Sequence, residues 1–130
     1  MHAANSPTND EIRAARTFSN QSIKRRNLLG VGDSLAENFV AVIGDGSFVP
    51  SRAAYLKLFQ QDFNSPKTSL RYERITDTVQ LSTTRPFAAE QGHWIGTDAI
   101  VYTGTYMAMW EHSKDGWKIR SELYVNLAHH

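Results

Sequence analysis

Apolar and polar positions divide the chain into a helical first part and a stranded remainder. Thr8 and Glu11 have the spacing of a capping box, which predicts a helix from there to about Leu29, stopped near Gly30 and Gly32. Its apolar face is thin: Ile12, Ala15, Ser19 and Ile23 fall on one side, with Ala14 and Phe18 well round from them. Such a helix lies partly exposed or borders a cavity that is not wholly apolar. Asp33 is placed to cap a short second helix over SLAEN, 34–38. Phe39 to Ile43 is β-branched and apolar and runs into Asp45-Gly46, a turn signal, so it reads as a strand. After Pro50, Ser51 suits an N-cap for a helix reaching Phe63, with Ala54, Leu58 and Phe59 as its stripe and Tyr55 and Phe63 beside it.

From Thr68 onward the pattern is that of strands. SLRYERITDTVQLS (69–82), the segment 87–95, IVYTGTYMAMWEH (100–112) and WKIRSELYVNL (117–127) are separated by Arg85-Pro86 and by the turn SKDG. If the last turn centres on Lys114-Asp115, a regular ladder sets Trp110 opposite Ile119, Ala108 opposite Ser121 and Tyr106 opposite Leu123 on one face. The other face then pairs Glu111 with Lys118, Met109 with Arg120 and Met107 with Glu122. That face suits partial solvation or a second subunit, and Met107, Met109, Glu122 and Tyr124 are its candidate contact residues. A one-residue slip would move all these side chains to the wrong side. Helices gathered before a run of antiparallel strands imply an α+β domain with helices on one sheet face. Its expected extent is 8–128, after a loose leader at 1–7.

Composition narrows the function. The 130 residues suit one domain with a real core. A net charge of +1 gives no general attraction to nucleic acid or an anionic membrane, so neither partner is expected. The chain has no cysteine, which excludes disulfides, thiolate metal sites and cysteine nucleophiles. No apolar run approaches the roughly 18–20 residues of a membrane span, and the first residues lack the apolar stretch of a secretory signal. A cytoplasmic location is the expectation. GVGD and GDGS lack the lysine and following Ser/Thr of a phosphate loop, and His112 has no ligand spacing, so no cofactor or metal is expected.

Three stretches carry a family likeness: AAEQGHWIG (88–96), GTYMAMW (104–110) and GWKIRSELYV (116–125), with weaker support from LAENFVAVIGDGSFVPSRAAYLKLF (35–59). In these and in the order of elements the chain resembles the NTF2-like superfamily, more closely its SnoaL-like, DUF4440 group. The resemblance implies a cone, in which a strongly curved, mainly antiparallel sheet wraps the N-terminal helices and leaves a pocket at its open end. It also implies homodimers formed through the outer sheet face. It does not imply one reaction, since this fold serves isomerases, cyclases, dehydratases and members without known activity.

Alternation in the strand 87–95 puts Glu90, Gly92 and Trp94 on one side and His93 on the other. Trp94 is large and apolar, so its side is taken as the inner one, together with Glu90. Tyr55, Tyr72, Trp94, Tyr106 and Trp110 are the expected walls of a pocket for a small apolar or aromatic molecule. A desolvated Glu90 among them would be raised toward neutrality and could exchange a proton with substrate, with Tyr72, Tyr102 or Tyr106 as donor to a substrate oxygen. The competing reading is a structural ion pair between Glu90 and Arg74 or Arg52. His93 is a second, weaker candidate base that more simply sits on the outer face. Its distance from Glu122, across two strand spacings, is about 10 Å. Gly92 and Gly104 either leave room for a ligand or permit sharp curvature. Ligand binding with proton-transfer chemistry and a non-catalytic binding or oligomerisation role both stay open.

Overall fold

The computed structural model describes residues 7–65, 71–98 and 100–130; most of the expected leader and the first residues of the strand at 69–82 lie outside them. Helix α1 (Pro7–Lys24) has proline in its first turn, where the missing N–H costs nothing, and the Thr8–Glu11 pair falls inside the helix. It stops short of Leu29. Arg26 takes the left-handed conformation (φ 55°), and Asn27 accepts a hydrogen bond from the Gly30 N–H to cap a separate helix, α2 (Leu28–Asp33). Gly30 is thus not a stop signal. A Cβ there would run into the Ser22 hydroxyl, so glycine is what lets α2 lie on α1.

SLAEN is not a helix. Strand β1 (Leu35–Val42) takes in all of it but Ser34, which caps the end of α2, and buries Leu35, Ala36 and Phe39. Helical propensity at Leu, Ala and Glu is worth only tenths of a kcal/mol per residue. Pairing with the C-terminal strand outweighs it. The short β2 (Phe48–Val49) folds back on β1, and α3 (Arg52–Asn64) follows with Ser51 accepting from the Ala54 N–H at 3.1 Å, a cap worth about 1 kcal/mol. Its buried edge is Tyr55 and Phe59. Then come β3 (Arg71–Leu81), β4 (Phe87–Asp98), β5 (Ile100–Ser113) and β6 (Gly116–His129).

The six strands form one mixed sheet in the order β2-β1-β6-β5-β4-β3. β1 runs parallel to β6, and every other neighbouring pair is antiparallel. The free edge of β3 is covered by α1. Asn20 mimics a strand there, donating to the Arg74 carbonyl at 2.8 Å and accepting its N–H at 3.1 Å, while Arg13 donates to the carbonyls of Thr76 and Asp77. The core between helices and sheet contains Ile12, Ile23, Phe39, Trp110 and Ile119. No helix among the described residues is long and apolar enough to cross a membrane.

Two features bend the ladder. At Gly92 an added Cβ would meet the Ile75 carbonyl and, at 2.8 Å, the Tyr106 ring; at Gly104 it would meet the Val125 carbonyl and, at 2.7 Å, the Trp94 indole nitrogen. These glycines serve close backbone approach and aromatic packing. The second feature is a set of bulges: register shifts fall between Thr76 and Thr78 on the β3–β4 ladder, between Thr103 and Gly104 on the β5–β6 ladder and, decisive for the inner face, between Met109 and Trp110 on the same ladder. Trp110 pairs with Ile119 and Glu111 with Lys118, as a regular hairpin requires, but Arg120 is then an extra residue. Beyond it Met109 faces Ser121, Ala108 faces Glu122, Met107 faces Leu123 and Tyr106 faces Tyr124. The simple ladder is therefore wrong by one residue past the turn. Glu122 and Tyr124 point into the fold, buried, and Leu123 points out.

Candidate ligand pocket and its buried charge network

The inner face of β4 and β5 follows the expected alternation. Glu90, Trp94, Tyr106 and Trp110 are buried, whereas His93, Met107 and Met109 are exposed. His93 lies outside the cone with its Nδ1 3.0 Å from the Asp77 carboxylate, both half in solvent. Glu122 lies on the opposite side of the sheet, so the two are not neighbours on one face.

Glu90 and Glu122 meet a cation that the sequence reading missed. Arg16, only 1% exposed, reaches down from α1 and bridges them. Its Nη2 is 2.8 Å from Glu90 Oε1 and its Nη1 2.8 Å from Glu122 Oε2. Glu90 accepts further hydrogen bonds from Tyr106 (2.5 Å), Thr76 (2.7 Å) and Trp110 (2.8 Å). Neither expected arginine pairs with Glu90. Arg52 donates to the Gly32 carbonyl, and Arg74 stands 3.6 Å from Glu122 while also holding the Tyr124 hydroxyl at 2.8 Å. Tyr55 closes the network by donating to Glu122 Oε1 at 2.8 Å. Two guanidinium groups face two carboxylates, which is how buried charge becomes tolerable.

This arrangement sets the acidities. Burial alone would raise Glu90, but the Arg16 charge and the hydrogen bonds from Arg16, Tyr106 and Trp110 outweigh it and hold the carboxyl at about 2. The expected upward shift is thus reversed in sign. Burial pushes the Tyr106 hydroxyl well up and Tyr124 up to about 12, so both stay neutral at ordinary pH, Tyr106 donating to Glu90 and Tyr124 accepting from Arg74.

A cavity of about 320 Å³ opens beside this network, between α3, the turn after β1 and the far ends of β3 to β6. Tyr55, Tyr72 and Trp94 line it, together with Phe59, Tyr102 and Tyr124. Tyr106 and Trp110 do not: they lie deeper, as does Glu90, behind the Arg74–Tyr124 pair that forms part of the wall. The signals for the missed residues were partial. Arg16 falls four positions after Ile12 and three before Ser19, on the thin face of α1, where a long cation is out of place unless it has a buried acid to meet. Nothing local marks Tyr124 as inward, because its side depends on the bulge at Arg120.

By sequence, no family model and no curated protein matches the chain. By structure, the likeness is broad. An NTF2-like protein of unknown function from Shewanella oneidensis superposes with a TM-score of 0.75 at 16% identity, covering 90% of this chain and 98% of that one. An uncharacterised protein with a cystatin-like fold from Caulobacter vibrioides gives 0.79 at 8% identity, covering 95% and 92%. A ketosteroid isomerase-like protein from Erwinia carotovora gives 0.71 at 11% identity, covering 92% and 95%. At these identities the likeness establishes architecture and not activity. The chain has the cone-shaped α+β fold of the NTF2-like superfamily.

Proposed function

We propose that the protein is a small-molecule-binding module whose pocket takes a compact aromatic compound, and that Glu90 serves as the structural anchor of the pocket floor. The observation that carries this reading is the separation of cavity from carboxylate. The cavity has aromatic walls and the size of a small-ligand site, whereas Glu90 is enclosed by Arg16, Tyr106, Thr76 and Trp110 and does not line it. A general base needs a free lone pair within reach of substrate and an acidity near the working pH. Glu90 has neither, which supports binding over the isomerase, cyclase or dehydratase chemistry that an inward carboxylate suggests. The narrower placement in the SnoaL-like, DUF4440 group rests on the stretches 88–96, 104–110 and 116–125 alone.

The reading includes a homodimer through the outer sheet face, supported by the apolar side chains left exposed there. It is tested by thermal unfolding with a panel of small aromatic and cyclic ketone compounds. A binder at 100 times its dissociation constant stabilises the fold by about 2.7 kcal/mol. At least one compound is expected to raise the melting temperature, and Thr97→Trp, which fills the cavity mouth, is expected to abolish that rise. A panel with no effect, or a rise untouched by Thr97→Trp, would remove the pocket from the account.

A further inference from the structure

Four rings follow one another round the cavity. Phe59 and Tyr72 lie 6.3 Å apart at 84°, Tyr72 and Trp94 6.3 Å at 35°, and Trp94 and Tyr124 5.9 Å at 87°. Two of these contacts are edge-on and one is tilted, so the four rings do not close into a stack; Tyr124 has one face stacked on Tyr106 at 24°, and the arc of rings is what the cavity meets. The negative faces of such rings attract cations, most strongly where water is excluded.

The charges on the wall point the same way. Its one guanidinium among the described residues, Arg74, has each of its three nitrogens engaged: Nε donates to Asn20 (2.8 Å), Nη1 to Tyr124 (2.8 Å) beside Glu122 (3.6 Å), and Nη2 to Ser19 (2.5 Å). Its charge is answered by Glu122, so an arriving anion finds no free fork to bind. Asp45 stands at the mouth, exposed, with one oxygen holding the Ser47 N–H at 2.9 Å. Those hydrogen bonds from Ser47 keep its carboxyl below the ordinary range and therefore charged.

We propose that the compound held in this cavity is an organic cation, an aromatic or quaternary amine, with the ring arc as its cage and Asp45 as the counter-charge at the entrance. The inference rests on the binding reading and narrows it to one charge class.

The test compares probes of matched shape and different charge by proton NMR titration: phenyltrimethylammonium, its neutral isostere tert-butylbenzene, and benzoate. The cation is expected to bind at least ten times more tightly than the isostere, and benzoate more weakly than either. Asp45→Asn, at an exposed turn, is expected to weaken the cation several-fold and leave the isostere unchanged. Trp94→Leu should remove most of the preference; should that variant fail to fold, Tyr72→Leu at the half-buried wall tests the same point. Equal binding of cation and isostere, or a preference for benzoate, would overturn the charge assignment and leave the pocket standing. No binding by any of the three would overturn both.

Discussion

Glu90 shows how one side chain can be buried, charged and stable at once. Its carboxylate is held near 2, against 4.5 for an ordinary glutamate, so protons bind the unfolded chain more readily than the folded one. The sign follows from linkage: this stabilisation is complete above about pH 5, falls as pH drops through the unfolded value, and is exhausted near the folded value. The gap corresponds to about 3 kcal/mol. Glu90→Gln is therefore expected to be less stable than wild type by roughly that amount at pH 7, and the difference between the two is expected to shrink from about pH 5 to pH 2. Urea unfolding at a series of pH values measures it. A wild-type minus variant difference that stays flat across that range would mean that Glu90 is not held ionised by Arg16. The glutamine is the informative probe because deleting Arg16 would leave the buried Glu90 without its cation, a loss of about 3–5 kcal/mol that reports desolvation more than pairing.

At the scale of elements, the inward set of β6 depends on one extra residue. Among the described residues the Arg120 side chain makes one surface hydrogen bond, to the Asn38 carbonyl at 2.8 Å. Arg120→Ala should cost under about 1 kcal/mol. Deleting residues 120 and 121 together is a different matter, since a regular ladder then sets Glu122 opposite Met109 and Tyr124 opposite Met107, turning both outward while Leu123 turns in. Arg16 and Arg74 then lose their shared carboxylate, and the deletion is expected to abolish cooperative unfolding while Arg120→Ala retains it, as near-UV circular dichroism against temperature would show. A deletion variant with the wild-type melting temperature would mean that the register can slip without cost. The same bulge marks the boundary of what is legible in the sequence. Period-two alternation is local, so Glu90, Trp94, Tyr106 and Trp110 read correctly as inward within their own strands. The β5–β6 turn at Lys114-Asp115 and the helix from Ser51 are local too, and both read correctly. A bulge belongs to two strands at once, and no composition rule marks it here. The strand over SLAEN and the Arg16 bridge share this character: each is decided by a partner more than 70 residues away in sequence.

For the whole molecule the open question is what covers the outside of the cone. Leu123 and Met107 are cross-strand partners on the outer face, 45% and 48% exposed, and Val125, Leu127 and Met109 extend the patch along the same two strands. An apolar patch of this kind on a small domain marks an interaction surface, and a two-fold axis can pair it with itself without any second surface. Methionine at its centre suits such a contact, because its flexible thioether fills irregular gaps. The bulge at Arg120 is what puts Leu123 and Val125 there, so the feature that completes the interior also makes the exterior apolar. If the proposed homodimer forms here, a carboxylate on the axis-facing strands meets its own copy, and like charges brought together in a desolvated contact oppose association. Met107→Glu with Leu123→Glu is expected to convert a dimer into a monomer while leaving the fold and the cavity intact, since both side chains point away from the core. Sedimentation equilibrium of both proteins over a hundred-fold concentration range decides it. A wild type that stays monomeric throughout, or a double variant that still dimerises, would place the contact elsewhere and leave this face to another partner.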